Sequence, residues 1–379
     1  MSDDRARPRI AVVGPVSPYR GGISQYTESL ASALADVADV SVFSFSKQYP
    51  RLLYPGDTDV DPTRGRLAHA QYVLSATSPW SWWRTVDRII AAQPDLVVVD
   101  WWTLFWQPWS AYLARRLRRR GIRVVFLCHN LVDHDAGGLR TRLTRGMLRA
   151  ADGYVVHGSA MRADLERLVP GATVLQRPHP VYDRFPEPAH RWAPRARLDL
   201  LFFGFIRPYK GLDTLLDAMA LLDDDDVALS VVGEAWGEGQ DALRARIESL
   251  GAEAVLHYVD DHAAADYFAR ADLVVLPYRS ATGSGVVSAA YHYLTPVLAT
   301  RVGGIPDVVD DTTGFLVPPD DPGALAQAIR GITREACRAL QPGIGDFAQR
   351  NSWRGFARAI VDEFVGGPRL SPGSEQALG

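Results

Sequence analysis

Cysteine is almost absent: the 379 residues contain two, Cys128 and Cys337. Two cysteines cannot build a disulfide framework, and they suit a reducing cytoplasm. The net charge is only -3. That balance gives no global attraction for nucleic acid or anionic lipid, so any anion has to be bound locally. Long apolar runs are missing too, and stretches such as LVVVDWWTLFW fall short of the ~18 residues of a membrane span. The start, MSDDRARPRIAVVG, passes from a charged tail straight into an apolar run, without the apolar core or small-residue cleavage site of a signal peptide. The loop after that run is not G-x-G-x-x-G, which counts against a nicotinamide cofactor. From Ser280 to Ala299 there is no acidic residue.

What is present is ample hydrophobic material, 47% of the chain. The length exceeds the roughly 250 to 300 residues at which one core stops growing, so two domains are expected. Apolar runs rich in β-branched residues (RIAVVG, DVSVFSF, DLVVVD, RVVFLC, GYVVH, then DLLFFG, ALSVVG, AVLHYV, DLVVLP, PVLAT) alternate with amphipathic segments. Continuous apolar strands separated by helices predict α/β domains with doubly wound parallel sheets, and the unit occurs twice. Five prolines without periodicity between Arg177 and Leu198 mark the break. The expected bodies are residues 1–182 and 198–345, joined by a linker at 183–197, with a final helix at 346–365 and a disordered tail at 366–379. The aspartate run at 223–226 reads as a solvated turn, with a metal site as the alternative.

In such sheets, ligands sit beyond the carboxyl ends of the strands. After the first run, Gly21 and Gly22 precede a helix whose amides and positive end suit an anion; a tight turn is the alternative. After DLLFFG, Arg207 and Lys210 stand before the helix opened by Gly211, where two cations and a helix N-terminus would meet a diphosphate. In RSATGSG, Ser284 is placed to cap a helix from Gly285 or Val286 to Leu294, and the loop's amides suit phosphate oxygens. His129 and Asn130 end another strand. His129 reads as a hydrogen-bond donor or proton partner in an interdomain cleft, or as a structural histidine. Asp133, His134 and Asp135 lie close by, but without a further ligand they make a weak metal site. Trp101, Trp102, Trp106 and Trp109, followed by Arg115, Arg116, Arg118, Arg119 and Arg120, offer a peripheral membrane surface, at the inner face, an acceptor channel, or ordinary core aromatics beside a wet helix face.

Taken together, YRGGISQY, FGFIRPYKGLDTLL and PYRSATGSGVVSAAYHYLTPVLATRVGGIPDVV resemble the retaining glycosyltransferases of the GT-B fold, family 4, over Ile10 to about Phe364. The resemblance implies two Rossmann-like domains facing a cleft, with a C-terminal helix returning to the first. It implies a UDP-, GDP- or ADP-sugar donor as co-substrate, no other cofactor, no obligatory metal and no nucleic acid. The acceptor would be a sugar, lipid-linked or small molecule. Donor binding would fall to Gly21, Gly22, Gly204, Arg207 and Lys210, and to Thr282, Gly283, Ser284, Gly285, Val286 and Ser288. His129, Arg207 and Lys210 would act at the reacting centre, with Tyr19, Arg20, Asn130, Trp101 and Trp102 on the acceptor side. The family's arginine usually follows the glycine matched by Gly204, where this chain has Phe205, so the role of Arg207 rests on its chemistry. The family's two glutamates in the last block correspond to Ala281 and Ala289. Their loss keeps open a degenerate homologue that binds without transfer, and a GT-B enzyme of another class: epimerase, phosphorylase or non-glycosidic coupling.

Overall fold

A computed structural model describes residues 7–50, 59–131, 138–190, 192–222, 226–235 and 239–366. The chain splits into two compact units, Met1–Arg177 with Trp353–Gly379, and Pro178–Ser352.

In the first unit the strands are β1 (Arg9–Val13), β2 (Asp39–Lys47), β3 (Ala70–Ser75), β4 (Leu96–Trp101), β5 (Arg123–Cys128), β6 (Gly153–Val156) and β7 (Val174–Gln176). All are parallel, in the order β3-β2-β1-β4-β5-β6-β7. Every residue of β4 is buried, as its unbroken apolar run requires of a strand covered on both faces. The helices are α1 (Gly22–Ala35), α2 (Pro79–Ala91), α3 (Gln107–Arg118), α4 (Gly138–Leu148) and α5 (Ser159–Leu168). The crossover from β1 to β2 runs one way along the sheet, and those holding α2, α3 and α4 run the other. Right-handed connections therefore put α1 on one face and those three helices, packed side by side, on the other.

The second unit contains β8 (Leu198–Phe203), β9 (Val227–Val232), β10 (Glu253–Val255), β11 (Leu273–Leu276), β12 (Val297–Thr300) and β13 (Gly314–Val317). They form one parallel sheet in the order β10-β9-β8-β11-β12-β13. Its helices are α6 (Leu212–Leu221), α7 (Gln240–Ser249), α8 (Asp261–Arg270), α9 (Gly285–His292), α10 (Pro322–Gly331), α11 (Arg334–Ala339) and α12 (Gln341–Arg350). In each sheet the strand order reverses once, at β1/β4 and at β8/β11, and ligand crevices form at such switch points.

The proline-rich segment does not behave as a linker. It packs on the second unit: the Tyr293 hydroxyl donates to Pro186 O at 2.9 Å, and Phe185 stacks on Tyr293. The single helix expected at 346–365 is also two, α12 and α13 (Trp353–Phe364). They are separated at Asn351, whose side-chain amide donates to Phe347 O at 3.0 Å and so competes with the helical backbone. Trp353, Phe356, Ala357, Ile360 and Phe364 are all buried, a helical stripe that packs α13 against α1 in the first unit. A Cβ on Gly153 would come within 2.4 Å of the Phe364 ring, so this glycine makes the docking possible. Of the aspartate run only Asp226 is described; it accepts from the Arg197 N–H at 2.9 Å. Asp223, Asp224 and Asp225, like the tail beyond Gly366, lie outside the described residues.

Candidate functional site

In the second unit, the loops after β8 and β11 meet at the switch point. Gly204 directly follows β8 with φ +96, and a Cβ there would lie 2.9 Å from Lys210 Nζ and 3.6 Å from Val286 Cγ2. The ammonium of Lys210 thus sits over the bare Gly204 backbone, 5.7 Å from the centroid of the Tyr278 ring. Only 8% of Lys210 is exposed. Burial, and then the positive charge of Arg207, pull its pKa down from 10.5 to about 8. No carboxylate among the described residues offsets that charge. The loop is held by the 3-10 turn Pro208–Lys210 and by Gly211 at φ +65, whose Cβ would fall 1.9 Å from Pro277 O. Arg279 ties the two loops together: its N–H donates to Tyr209 O at 2.7 Å and its guanidinium to Pro208 O at 3.0 Å.

Ser284 caps α9, accepting from the Val286 N–H at 3.2 Å, with its Oγ 3.3 Å from the Tyr278 hydroxyl. The Val286 amide is therefore occupied, while Gly283 and Gly285 remain exposed. Thr282 is half-buried. Ser288 is buried, and its Oγ lies 2.9 Å from His179 Nδ1, so its hydroxyl is already engaged. Ala281 and Ala289 are both buried. The structure thus brings Gly204, Lys210, Ser284 and Val286 into one electropositive cluster, with Arg207 acting on it by charge.

In the first unit, Gly21 opens α1 at φ +99 without a side-chain cap, and Gly22 is exposed. The Arg20 N–H donates to Asp59 O at 2.9 Å. His129 presents Nε2 to Asp100 Oδ1 at 3.2 Å, and its ring packs edge-on against Tyr26 at 4.9 Å. Asp100, 2% exposed at the end of β4, also has Thr27 Oγ1 2.6 Å from Oδ2. A carboxylate can only accept, so it holds the ring proton on Nε2. Gly14 leaves room for it, because a Cβ there would stand 1.8 Å from Asp100 Oδ2. Asp100, Thr27, Gly14 and Tyr278 escape sequence reading because they lie inside apolar or helical runs. The closing D of DLVVVD, a charge at the carboxyl end of a buried strand, is the signal that was there to follow.

Two acceptor-side expectations are overturned by burial. Trp101 is 1% exposed and stacked on Phe126, and Tyr19 is 4% exposed with its hydroxyl donating to Phe45 O at 2.9 Å. Trp106 and Trp109 are equally core residues, so these three indoles pack inside the first unit. Trp102 is half-buried, with Nε1 donating to Tyr49 at 3.0 Å, while Asn130 is exposed. Asp133, His134 and Asp135 lie outside the described residues. Among the described residues, no three His, Cys, Asp or Glu side chains gather in a metal-ligand cluster, and no helix is long and apolar enough to cross a membrane.

Residues 20–181 match the family model described as Glycosyltransferase Family 4, and residues 197–335 the model described as Glycosyl transferases group 1. A D-inositol 3-phosphate glycosyltransferase of Saccharomonospora viridis is 31% identical over 303 residues, covering 71% of this chain and 69% of that protein. The chain belongs to glycosyltransferase family 4. A GDP-mannose:glycolipid 4-beta-D-mannosyltransferase of Xanthomonas campestris is 30% identical over 257 residues, 66% of this chain and 70% of that one. The Streptomyces avermitilis relative, another D-inositol 3-phosphate glycosyltransferase, is 33% identical over 248 residues. This family member spans only 51% of that protein's length. Among solved structures, sucrose-phosphate synthase of Thermosynechococcus elongatus superposes with a TM-score of 0.74 at 21% identity, over 95% of this chain and 99% of its own. Anabaena HepE in complex with UDP gives 0.69 at 18%, over 94% and 100%. The fold is GT-B, with two Rossmann-like units and a returning C-terminal helix.

Proposed function

We propose that the protein transfers a hexose, with retention, from a nucleotide-diphosphate sugar to a cell-envelope, polysaccharide or secondary-metabolite acceptor, without an obligatory metal. The observation that carries this reading is Lys210: a buried, uncompensated cation beside Arg207 at a strand's carboxyl end, which an anionic group would stabilise. In the transition state a positively polarised anomeric carbon separates from a departing diphosphate, so the main requirement is to stabilise negative charge on the leaving group. Lys210, Arg207 and the exposed Gly283 and Gly285 backbone suit that task. One preorganised donor of this kind is worth roughly 100- to 1000-fold in rate. Front-face attack, with the departing phosphate taking the acceptor's proton, requires no carboxylate at Ala281 or Ala289. HepE is solved with UDP and with UDP-glucose, and the Xanthomonas relative is named for GDP-mannose; the base is therefore left to experiment.

The test is thermal shift of the full chain against UDP-, GDP-, ADP- and dTDP-sugars, followed by mass spectrometry of products. A donor at 100 times its Kd should stabilise by about 2.7 kcal/mol. Binding of one donor with formation of a glycoside of the donor's anomeric configuration is the expected result. Binding with no turnover on any acceptor would favour the degenerate homologue, the reading that the buried alanines at 281 and 289 support. An inverted anomer would remove retention while leaving transfer; the beta in the name of the Xanthomonas relative makes this readout necessary.

Asp100 is proposed to position His129 for the acceptor. In Asp100→Asn the amide would turn an N–H toward either Thr27 or His129. We expect kcat to fall about tenfold or more, with the donor KM little changed. An unchanged kcat, or a loss that falls on the donor KM and the melting temperature alone, would reduce Asp100 to a structural role.

A further inference from the structure

We propose that the outer face of α2, with α3 and α4 beside it, docks the protein on an anionic lipid surface. On α2 the side toward the sheet buries Thr85, Val86 and Ile89. The opposite side leaves Trp80 70% and Trp83 49% exposed, their rings 4.9 Å apart and edge-to-face. Two large indoles held in water on one helix are the kind of patch that marks a contact surface. Trp82, in contrast, turns inward and donates through Nε1 to Ser75 O at 3.0 Å. Beside the exposed pair, a shallow groove between α2 and α3 is lined by Trp83, Val86, Asp87, Tyr112 and Arg116.

The charge around this face is one-sided. Across α2, α3 and α4 there are eight arginines against a single acidic residue, Asp87, in a chain whose net charge is -3. Among the described residues, only Arg118 of the eight is paired with a carboxylate beyond these helices, Asp152 at 2.8 Å. Arginines flanking interfacial tryptophans on an amphipathic helix complement the headgroups of an anionic bilayer, while the indoles enter the headgroup boundary. Nucleic acid fits less well. The two rings pack on each other as one apolar wedge instead of lying as separate stacking faces along a groove.

The experiment is co-sedimentation of the full chain with vesicles of phosphatidylcholine and phosphatidylglycerol in equal parts, with phosphatidylcholine vesicles as the comparison, at low and high salt. We expect salt-sensitive binding to the anionic vesicles only. Arg84→Gln with Arg116→Gln should weaken it by about fivefold per arginine. Trp80→Ser with Trp83→Ser should weaken it by about tenfold or more. All four residues lie on the outer side of the helices, and unchanged melting of the variants verifies that folding is intact. Failure to sediment with anionic vesicles, or binding that neither pair of substitutions alters, would overturn the proposal. So would tighter, tryptophan-dependent binding to a single-stranded oligonucleotide than to vesicles, which would assign the face to nucleic acid.

Discussion

Replacing Lys210 by methionine should make the protein more stable and nearly inactive. Burial holds the folded-state pKa of Lys210 at about 8 against 10.5, a difference equivalent to about 3 kcal/mol as an upper value. The sign is fixed by the direction of that shift. Between pH 8 and 10.5 the unfolded chain binds a proton at this lysine and the folded chain does not, so wild-type stability rises with pH across this window. Below pH 8 the folded protein bears the whole cost of a buried charge. Lys210→Met should therefore melt higher than wild type at pH 7, and the gap should close as the pH approaches 10.5. Activity should move the other way, with kcat/KM for the donor down roughly 100-fold or more. Melting curves at pH 7 and 10 and initial rates at pH 7 check both halves. A variant less stable at pH 7, or one that keeps its rate, would remove Lys210 from the role proposed here.

Arginine should not rescue it. The chain has only two lysines, Lys47 and Lys210, and uses arginine for its other basic side chains. An ammonium fits as a point charge over the bare Gly204 backbone, where a planar guanidinium would need more room. Lys210→Arg is expected to lose most of the activity while leaving the charge unchanged, a contrast that separates shape from electrostatics.

The second large effect is at Gly211. Alanine at φ +65 would strain the backbone by about 1 to 2 kcal/mol, and its Cβ would stand 1.9 Å from Pro277 O, too close for the loops to keep their places. To make room, the turn at Pro208–Lys210 must separate from the Pro277–Arg279 segment and give up the Arg279 bonds to Tyr209 and Pro208. We expect Gly211→Ala to destabilise the second unit by about 3 kcal/mol or more and to weaken donor binding. Gly239→Ala is the matched comparison: φ there is +93, but among the described residues nothing lies within 4 Å of the added Cβ, so only the backbone strain should appear. Hydrogen exchange of the β8 and β11 amides reads the difference. Equal effects at the two positions would mean that the Pro277 contact contributes nothing.

The doubly wound sheets were legible because their central strands, such as LVVVDW and LDLLFF, are covered on both faces and so lack polar alternation. The strands that escaped, AQYVLS, VLQ and GFLV, are β3, β7 and β13, each at a sheet edge, where burial is partial and the apolar run short or mixed. The loops at the switch points could be read from Gly204, Arg207, Lys210 and Ser284, because glycine, cations and a cap next to a strand end have local meaning. Asp100 could not be paired with His129 in the same way. Their contact spans 29 positions and exists only because β4 and β5 are neighbours. The tryptophans misled for a related reason: composition cannot tell an indole stacked in the core, as at Trp101, from one standing in water, as at Trp80.

The path of the chain also sets an order of assembly. The segment that covers Tyr26 on α1, with Trp353 at 4.8 Å and Phe356 at 6.2 Å, leaves the ribosome only after all of Pro178–Ser352. During synthesis the second unit can close as soon as its last strand and helices emerge, while the first, though made earlier, waits with an aromatic face uncovered. The usual vectorial sequence, in which amino-terminal bodies mature first, is thus reversed, and the nascent first unit is where a chaperone would find its longest-lived target.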